Sequence, residues 1–551
     1  MHNRRTTSDR RAARGSLAGA AQTPVTDTPT PADSASAVPQ INPWIIAIAV
    51  MFGTFMEVLD TTVVNVSLPH IAGNLSASVD EAAWTLTSYL VANAIVLPIT
   101  GWLSQYFGRK RLLMMSLTGF TIASLLSGLA PTLGALVFFR VIQGATGGVL
   151  QPISQSVMLE AFPPRDRGKA MAFWGLGIVV APMLGPILGG WLTDSYSWRW
   201  VFYINLPVGI ASLYMTKTFI FDPPYLQRGA RRVDGWGIGM LAVGIGALQI
   251  MLDKGQQDDW FGSSFIITCA VISIGSLVAF VVRELVAREP VVHLNVFKSR
   301  NYSVGVLMMT TLGFVLYGSL VALPVFLQTL MGYPAVEAGL ATAPRGLGAF
   351  IGMPIIGAIM SRGVDPRKLL AAGFFVAGLT LIQLSRLDAT ATIWNFFWPQ
   401  LWLGFALSFM FVPLTTTTMD PIPREEMGNA TSLFNLMRNL GGGFGIAAAT
   451  TIIARDSQRY FSILGEHVTP YNAHAQQMMT QMAHGFAAAG MEQTSAARAG
   501  LASMAAFVHG QAALLSYLHT FRVFGAIFIV AVPLLFLLKR PSSSRRPVAA
   551  H

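Results

Sequence analysis

The sequence has little charge and almost no cysteine. Asp, Glu, Lys and Arg make up only 11% of its 551 residues, whereas 53% of the residues are hydrophobic. Soluble domains carry about 25% charged residues and need them to cover their surface. The composition therefore argues against a soluble enzyme, a coiled coil or a disordered chain, and it favours a polytopic membrane protein. The single cysteine excludes a disulfide framework and a cysteine metal site.

The sequence also lacks the common motifs of nucleotide hydrolysis and catalysis. It contains no G-x-x-x-x-G-K-[ST] phosphate loop, no H-E-x-x-H metal motif and no G-x-S-x-G nucleophile motif. We identify no catalytic triad, no metal site and no pattern for a cofactor. The prediction is a protein that is not an enzyme and that draws its energy from an ion gradient or from the gradient of its substrate.

Apolar segments long enough to cross a membrane run through most of the chain. A helix needs about 20 apolar residues to cross the hydrocarbon core. By this measure the sequence predicts an all-α membrane protein with fourteen transmembrane helices, separated mostly by short polar turns. The predicted spans are 44–68, 84–106, 112–131, 134–160, 168–193, 200–221, 234–253, 263–283, 301–327, 337–361, 368–386, 393–419, 428–453 and 514–538.

The basic residues predict the orientation of these helices. Most of the 37 Lys and Arg residues lie in the tails, 1–43 and 539–551, and in the loops on the same side. Cytoplasmic loops are enriched in Lys and Arg, so both termini are predicted to be cytoplasmic. This distribution explains the net charge of +11 without nucleic-acid binding. The first tail is predicted to be disordered, with an organellar transit peptide as the alternative.

One loop on the opposite side, 455–512, is far longer than the others. Within it, Met478, Met482 and Phe486 recur every four residues, which is the period of an amphipathic helix. The four histidines of this loop suggest metal capture as an alternative, but they lack the tight spacing of metal ligands. We therefore predict a helical hairpin or a docking surface.

Two short loops on the basic side resemble each other. The segments 101–113 and 357–370 each contain a glycine, a small polar turn, an Arg-Lys pair and two leucines. They follow the second and the tenth span. The simplest account is two six-helix bundles, 44–221 and 301–538, with two helices at 234–283 inserted between them. In transporters built from such repeats the substrate path lies between the halves.

Five ionisable side chains inside the predicted spans are functional candidates, because burying such groups is costly. With a rise of ~1.5 Å per residue, Asp60 and Arg140 lie about 12 and 9 Å below the same surface, so we expect a salt bridge or a shared hydrogen-bond network. Asp60, or Glu57 three residues earlier, would bind and release a proton beside Arg140; a structural ion pair is the alternative. Arg345 and Arg438 are candidates for cavity lining or structural pairing.

The fifth span combines prolines with glycines. Proline removes helix hydrogen bonds, and glycines four residues apart allow a second helix to approach closely. We predict a contact that slides or rocks between the bundles, with the glycines at 441–445 as its counterpart in the other half. The residues of the fifth span are Pro182, Gly185, Pro186, Gly189 and Gly190.

Several segments resemble motifs of one transporter family. They are L-D-T-T-V-V-N-V-S-L-P at 59–69, the loop at 101–111, R-V-I-Q-G at 140–144, G-P-I-L-G-G at 185–190 and the segment 198–207. Together they resemble the major facilitator superfamily and, within it, the fourteen-span drug:proton antiporters of the EmrB/QacA type. The segments 55–60 and 84–90 are more similar to EmrB-like permeases. Gln105 replaces the usual acidic residue of the loop motif, whose other residues here are Gly101, Gly108, Arg109, Lys110 and Arg111.

This resemblance implies the major facilitator fold and the proton-driven export of amphipathic, lipophilic compounds by alternating access. It assigns Arg140 to proton transfer, the loop motif to conformational change and the segment 182–190 to the antiporter motif. It also implies a multi-pass permease of the cell inner membrane, with a periplasmic EmrA-like adaptor and an outer-membrane channel as partners. The alternatives are an exporter of an endogenous metabolite such as a siderophore, and a non-transporting membrane sensor on the same fold.

Overall fold

The computed structural model describes residues 42–222, 234–287, 290–388, 390–469 and 471–539. The two predicted tails, 1–43 and 539–551, lie almost entirely outside these ranges. Their disorder and their cytoplasmic position therefore stay predictions.

The described residues form nineteen α-helices and no strand. Helices are expected for apolar segments of this length, because backbone N–H and C=O groups in lipid must be satisfied within the segment. The prediction of an all-α protein is confirmed. The helices are α1 (Pro43–Asn74), α2 (Val79–Ala82), α3 (Trp84–Phe107), α4 (Arg109–Leu129), α5 (Leu133–Gly147), α6 (Leu150–Ala161), α7 (Arg167–Ser195), α8 (Trp200–Tyr203), α9 (Asn205–Phe219), α10 (Gly235–Lys254), α11 (Ser264–Val286), α12 (Arg300–Thr329), α13 (Ala335–Thr342), α14 (Pro344–Ser361), α15 (Pro366–Leu384), α16 (Ile393–Met419), α17 (Met427–Gly465), α18 (Ala473–Ala488) and α19 (Gln493–Ala531).

Twelve helical segments of the described chain are long and apolar enough to cross a membrane, which makes this a multi-pass membrane protein. The other two predicted spans are helical as well. The span at 200–221 is divided at Ile204 into α8 and α9, and the span at 428–453 lies in α17, whose sequence is more polar. The count of fourteen crossings stays a prediction.

The helices pack as two bundles, which we call the first bundle (α1–α9) and the second bundle (α12–α19). The bundles contact each other where α7 packs on α14 and α16, and where α17 packs on α3 and α6. The inserted helices α10 and α11 pack on each other, and α10 also packs on α3 and α17. The contact between the bundles is therefore formed along two seams, one centred on α7 and one on α17.

An ion pair at Asp234, the residue before α10, joins the two helices of the α10–α11 hairpin. Asp234 caps α10 by accepting a hydrogen bond from the Gly237 N–H at 3.1 Å, and its carboxylate pairs with Arg283 of α11 at 2.7 Å. The hydrogen bonds from Arg283 lower the pKa of Asp234 below its ordinary value. This pair holds the beginning of α10 against the end of α11.

The first described helix begins, and the last described helix ends, at the same end of the molecule. Trp44 packs edge-on against Phe162, with 5.1 Å between ring centroids. A Cβ on Gly168 would lie 3.2 Å from Met360, and Arg367 donates to the Leu538 carbonyl at 3.1 Å. We call this end, which includes the loops at 107–109 and 361–366, the basic end. The shared end agrees with an even number of crossings.

The repeat in the sequence is also a repeat in the structure. A Cβ on Gly101 would lie 2.6 Å from the Asn429 Cα in the second bundle, and a Cβ on Gly357 would lie 3.2 Å from the Lys169 Cα in the first. Each repeat therefore brings a glycine of one bundle against the backbone of the other. In both loops a later glycine has positive φ, +85° at Gly108 and +80° at Gly363, which L-residues with a side chain rarely adopt.

The long loop at 455–512 is helical, as predicted. Helix α17 continues to Gly465, α18 follows, and α19 begins about 30 Å before its predicted span at ~1.5 Å per residue. Helix α18 packs on α19, where a Cβ on Gly500 would lie 3.0 Å from Ala483. The apolar side chains at 478, 482 and 486 are half-buried. The loop is thus a helical hairpin that extends the bundle.

Candidate functional site

The first predicted site residues form a buried ion pair. Asp60 of α1 and Arg140 of α5 lie 2.6 Å apart, and neither side chain is exposed to solvent. The match of their depths, calculated from the helical rise, predicted this pairing. An ion pair removed from water is stable only when further hydrogen bonds satisfy the remaining polar atoms.

Neutral groups of α3, α5 and α9 surround the pair. The Asp60 Oδ1 accepts hydrogen bonds from Gln143 at 2.9 Å and from Asn205 at 2.7 Å. Arg140 donates from Nε to the Thr85 carbonyl at 3.0 Å, and its guanidinium lies 4.2 Å from the centre of the Tyr89 ring. Asp60 is therefore held by an arginine and two amides, which fixes its position within the first bundle.

Glu57 has different surroundings, although it lies less than one turn from Asp60. Its carboxylate accepts hydrogen bonds from Asn93 at 3.0 Å and from Gln151 at 2.5 Å, and the side chain is buried. Neither donor is charged. Within the described residues no Lys, Arg or His lies in ion-pair distance of this carboxylate. A proton can therefore join or leave Glu57 without breaking a direct ion pair.

Gln151 connects Glu57 to the second bundle. Its Nε2 donates to Glu57, and its Oε1 accepts a hydrogen bond from Arg438 Nη2 of α17. We call Glu57, Gln151 and Arg438 the interbundle relay. Two further bonds cross the same seam, from Asn435 to Gln155 and from the Thr431 hydroxyl to the carbonyl of residue 152. The sequence predicts that Arg438 lines a cavity or forms a structural pair. In the structure it lies at the contact between the two bundles, where it donates to Gln151.

Arg345 lies in the second bundle, outside the relay. It is the second residue of α14, and its Nε donates to the Gln400 Oε1 of α16 at 2.8 Å. Only 3% of the residue is exposed.

The loop motif lies at the basic end, apart from the buried carboxylates. Arg109 pairs with Glu160 at 2.5 Å, and Lys110 donates from Nζ to the Lys217 carbonyl at 2.6 Å, whereas Arg111 is exposed. Gln105, which replaces the usual acidic residue, donates to a backbone carbonyl of the second bundle at 3.3 Å. The motif therefore has contacts within the first bundle and across to the second.

The glycines of the fifth span pack closely, but on a different partner from the one predicted. A Cβ on Gly189 would lie 2.7 Å from the Val63 carbonyl, and one on Gly185 would overlap Thr62. Both contacts are on α1 of the same bundle, so the predicted sliding contact between the bundles is not made by these glycines. The reason is that α7 presents a different face to α14, at Gly175 and Met183. Pro182, Pro186 and Gly190 lie in the same helix.

The second bundle contains a glycine contact that corresponds to the one between α7 and α1. A Cβ on Gly441 or on Gly445 would overlap a backbone carbonyl of α12, that of Thr310 or of Phe314 respectively. Helix α17 thus packs on α12 through glycine as α7 packs on α1.

The sequence did not identify the amides that complete the site. Gln143 and Asn205 lie in the family-like motifs at 140–144 and 198–207, but no motif contains Asn93 or Gln151. The available signal is their position, because each is an amide inside an apolar helix, where an unsatisfied polar group is costly. Such residues need a partner and therefore indicate a network.

Comparison with known proteins identifies the family. The model of the Major Facilitator Superfamily matches residues 50–446. The chain belongs to the major facilitator superfamily. It is a membrane transporter and not an enzyme, and its fold is the major facilitator fold.

Two curated relatives match over nearly their whole length. The "Multidrug export protein EmrB" of Haemophilus influenzae is 42% identical over 440 residues, which cover 80% of this chain and 86% of the relative. The "Fatty acid resistance protein FarB" of Neisseria gonorrhoeae is 38% identical over 502 residues, 91% of this chain and 96% of the relative. Among solved structures, the human organic anion transporter MFSD10 has a TM-score of 0.58 and 13% identity, covering 90% of this chain and all of that one. That last likeness concerns the fold alone.

Proposed function

We propose that this superfamily member is a proton-driven antiporter that exports amphipathic drugs or toxic compounds across the inner membrane by alternating access. The observation that carries the proposal is the interbundle relay, in which a buried carboxylate is joined through one amide to an arginine of the other bundle. Asp60, Glu57 and Arg140 are the proposed coupling residues.

The two carboxylates have different roles in this proposal. Asp60 remains paired with Arg140 and keeps α1 and α5 in register. Glu57 carries the transported proton, because its direct partners are neutral amides. When Glu57 is ionised, its charge and that of Arg438 attract each other through Gln151 and favour contact between the bundles. When Glu57 is protonated, that attraction is lost and the bundles can separate more easily.

We call the contacts between the bundles at the basic end the gate. The change of charge at Glu57 would open or close this gate. Gly101 and Gly357 each allow close approach of the opposite bundle there, and Gln105 adds a hydrogen bond across the seam. Opening toward the basic end requires these contacts to break. Because α17 carries both Arg438 of the relay and Asn429 of the gate, a shift of α17 couples the two sites.

The substrate class is supported by the relatives. One is named for multidrug export and one for resistance to fatty acids, which are amphipathic compounds. By the same relationship we propose that the permease works in a tripartite pump, with a periplasmic EmrA-like adaptor and an outer-membrane channel. The hairpin formed by α18 and the first part of α19 is the proposed docking surface.

The test is transport in proteoliposomes that contain the purified chain and the pH dye pyranine. Ethidium, dodecanoate and a siderophore are supplied in turn, with and without a pH gradient. The proposal requires gradient-driven movement of an amphipathic compound with counterflow of protons, and loss of both in Glu57→Gln. Uptake that ignores the gradient contradicts antiport. Transport of the siderophore alone would identify a metabolite exporter, and binding without any transport would identify a sensor.

A further inference from the structure

Among the described residues, three of the four most buried arginines are linked to an acid, two directly and one through an intervening amide. Four arginines are at most 3% exposed: Arg109, Arg140, Arg345 and Arg438. Arg109 pairs with Glu160, Arg140 with Asp60, and Arg438 reaches Glu57 through Gln151. Arg345 has only the neutral Gln400. Removing a guanidinium from water without a counter-charge is costly, so the exception needs a physical account.

The donors around Arg345 are incompletely used. Arg345 Nη1 and Gln400 Nε2 are both buried and have no hydrogen-bond partner among the described residues. The Arg345 Nε–Gln400 Oε1 bond at 2.8 Å holds the two side chains together, so two N–H donors on adjacent groups remain available. A guanidinium and an amide in this arrangement are suited to bind the two oxygens of a carboxylate.

No acid of the neighbouring helices can supply the missing charge. Helix α14 packs on α7, α13 and α16. Helix α16 contains no Asp or Glu, and the acids of α7 and α13, Asp194 and Glu337, are both exposed. The anion that would pair with Arg345 is therefore one that these neighbouring helices do not provide.

Arg345 also lies beside the seam between the bundles. The next residue, Gly346, contacts the side chain of Met183 on α7, where a Cβ would lie 2.9 Å from the methionine Cε. By the helical rise of ~1.5 Å, Arg345 is about 12 Å from the beginning of its span at Glu337. This is the region in which transporters of this architecture bind their substrates, between the halves and away from either surface.

We propose that Arg345 and Gln400 form the recognition site for the carboxylate of an amphipathic anionic substrate. The guanidinium supplies the charge, the Gln400 Nε2 supplies a second donor, and the apolar part of the substrate lies against Met183 of α7. The inference rests on the proposed function in one respect, because it takes the bound anion to be a transported compound. It assigns a substrate charge, which the proposed function leaves open.

The test is binding of tritiated dodecanoate to the full-length protein in nanodiscs of zwitterionic lipid, measured by scintillation proximity without a pH gradient. We expect displacement by unlabelled dodecanoate, but not by dodecanol, dodecyltrimethylammonium or equimolar acetate. Arg345→Met should weaken binding at least tenfold, and Arg345→Lys should weaken it less. The matched control is Arg386→Met, which removes an exposed arginine of the same bundle.

Gln400→Glu keeps the test decisive if Arg345→Met does not fold. The new carboxylate would pair with Arg345 from within the protein, so the variant should melt at or above the wild-type temperature and lose dodecanoate binding at least tenfold. Wild-type dodecanoate affinity in folded Gln400→Glu or Arg345→Met would overturn the proposal. Equal displacement by dodecanol would overturn it as well.

The inference and the proposed function can fail separately. Dodecanoate that binds through Arg345 but is never moved by a pH gradient contradicts antiport and leaves the carboxylate site standing. Gradient-driven export of ethidium, together with dodecanoate binding that does not depend on Arg345, contradicts the carboxylate site and leaves antiport standing.

Discussion

Arg438 donates a hydrogen bond to Gln151 across the contact between the two bundles. Gln151 uses its carbonyl oxygen for Arg438 and its amide nitrogen for Glu57, so both ends of one side chain are occupied. This fixes the orientation of the amide. A change of charge at Glu57 therefore acts on Arg438 of α17 through one side chain, that of Gln151.

Glu57→Gln should uncouple transport from the proton gradient. Glutamine keeps the shape of the side chain but cannot carry a proton, so the attraction toward Arg438 no longer alternates. We expect gradient-driven ethidium efflux to fall at least tenfold, while substrate binding stays within about threefold. Proteoliposome flux and equilibrium binding measure the two quantities. The matched control is Glu466→Gln, which changes an exposed acid of the same chain and should leave both unchanged. Retained pH-driven efflux in Glu57→Gln would exclude Glu57 as the proton carrier.

Asp60→Asn should abolish pH-driven efflux and also lower stability. The substitution leaves the Arg140 guanidinium buried without an acid, and breaking a buried pair by removing one partner costs about 3–5 kcal/mol. We expect the protein to fold in detergent but to melt at a lower temperature. The double variant Asp60→Asn with Arg140→Gln should regain melting temperature but not transport. Recovery of transport in the double variant would show that Asp60 and Arg140 are not required for coupling.

The pairing of Asp60 with Arg140 could be predicted because both lie on helices whose rise is constant. Depth along a helix follows from residue number once the span is known. The partners of Glu57 could not be predicted in this way, since Asn93 and Gln151 are ordinary polar residues and a single sequence does not say which helices face each other. The same limit applies to the glycines. Their spacing predicted close packing, but only the arrangement of the helices shows that Gly189 meets α1 and not the other bundle.

Gly189→Ala and Gly190→Ala should differ sharply, although the residues are neighbours. A Cβ on Gly189 would lie 2.7 Å from the Val63 carbonyl, whereas the nearest atom to a Cβ on Gly190 is 4.0 Å away on Val66. We expect Gly189→Ala to separate α7 from α1, lower the melting temperature and reduce transport severalfold. Gly190→Ala should behave as the wild type in both measurements. Equal tolerance of the two substitutions would mean that α7 and α1 do not pack this closely in the membrane.

Deletion of residues 471–502, replaced by a short Gly-Ser linker, should separate pump assembly from transport. The deleted segment contains α18 and the beginning of α19, which form the hairpin beyond the predicted membrane span. The segment exposes Tyr471 at 98% and Leu501 at 57%, and the proposed adaptor would cover these side chains. We expect the variant to lose co-purification with an EmrA-like adaptor while ethidium transport in proteoliposomes stays within twofold of wild type.

The control for this deletion replaces only the half-buried face of α18. Met478→Gln with Met482→Gln leaves the exposed side chains in place but weakens the packing of α18 on α19. If docking uses the exposed surface of a folded hairpin, this double variant should bind the adaptor more weakly in proportion to its loss of helicity. Wild-type adaptor affinity after the full deletion would show that the hairpin does not dock the adaptor. In that case its half-buried Met and Phe side chains serve the permease itself, by fastening α18 to α19 as a cover or spacer at the opposite end from the gate.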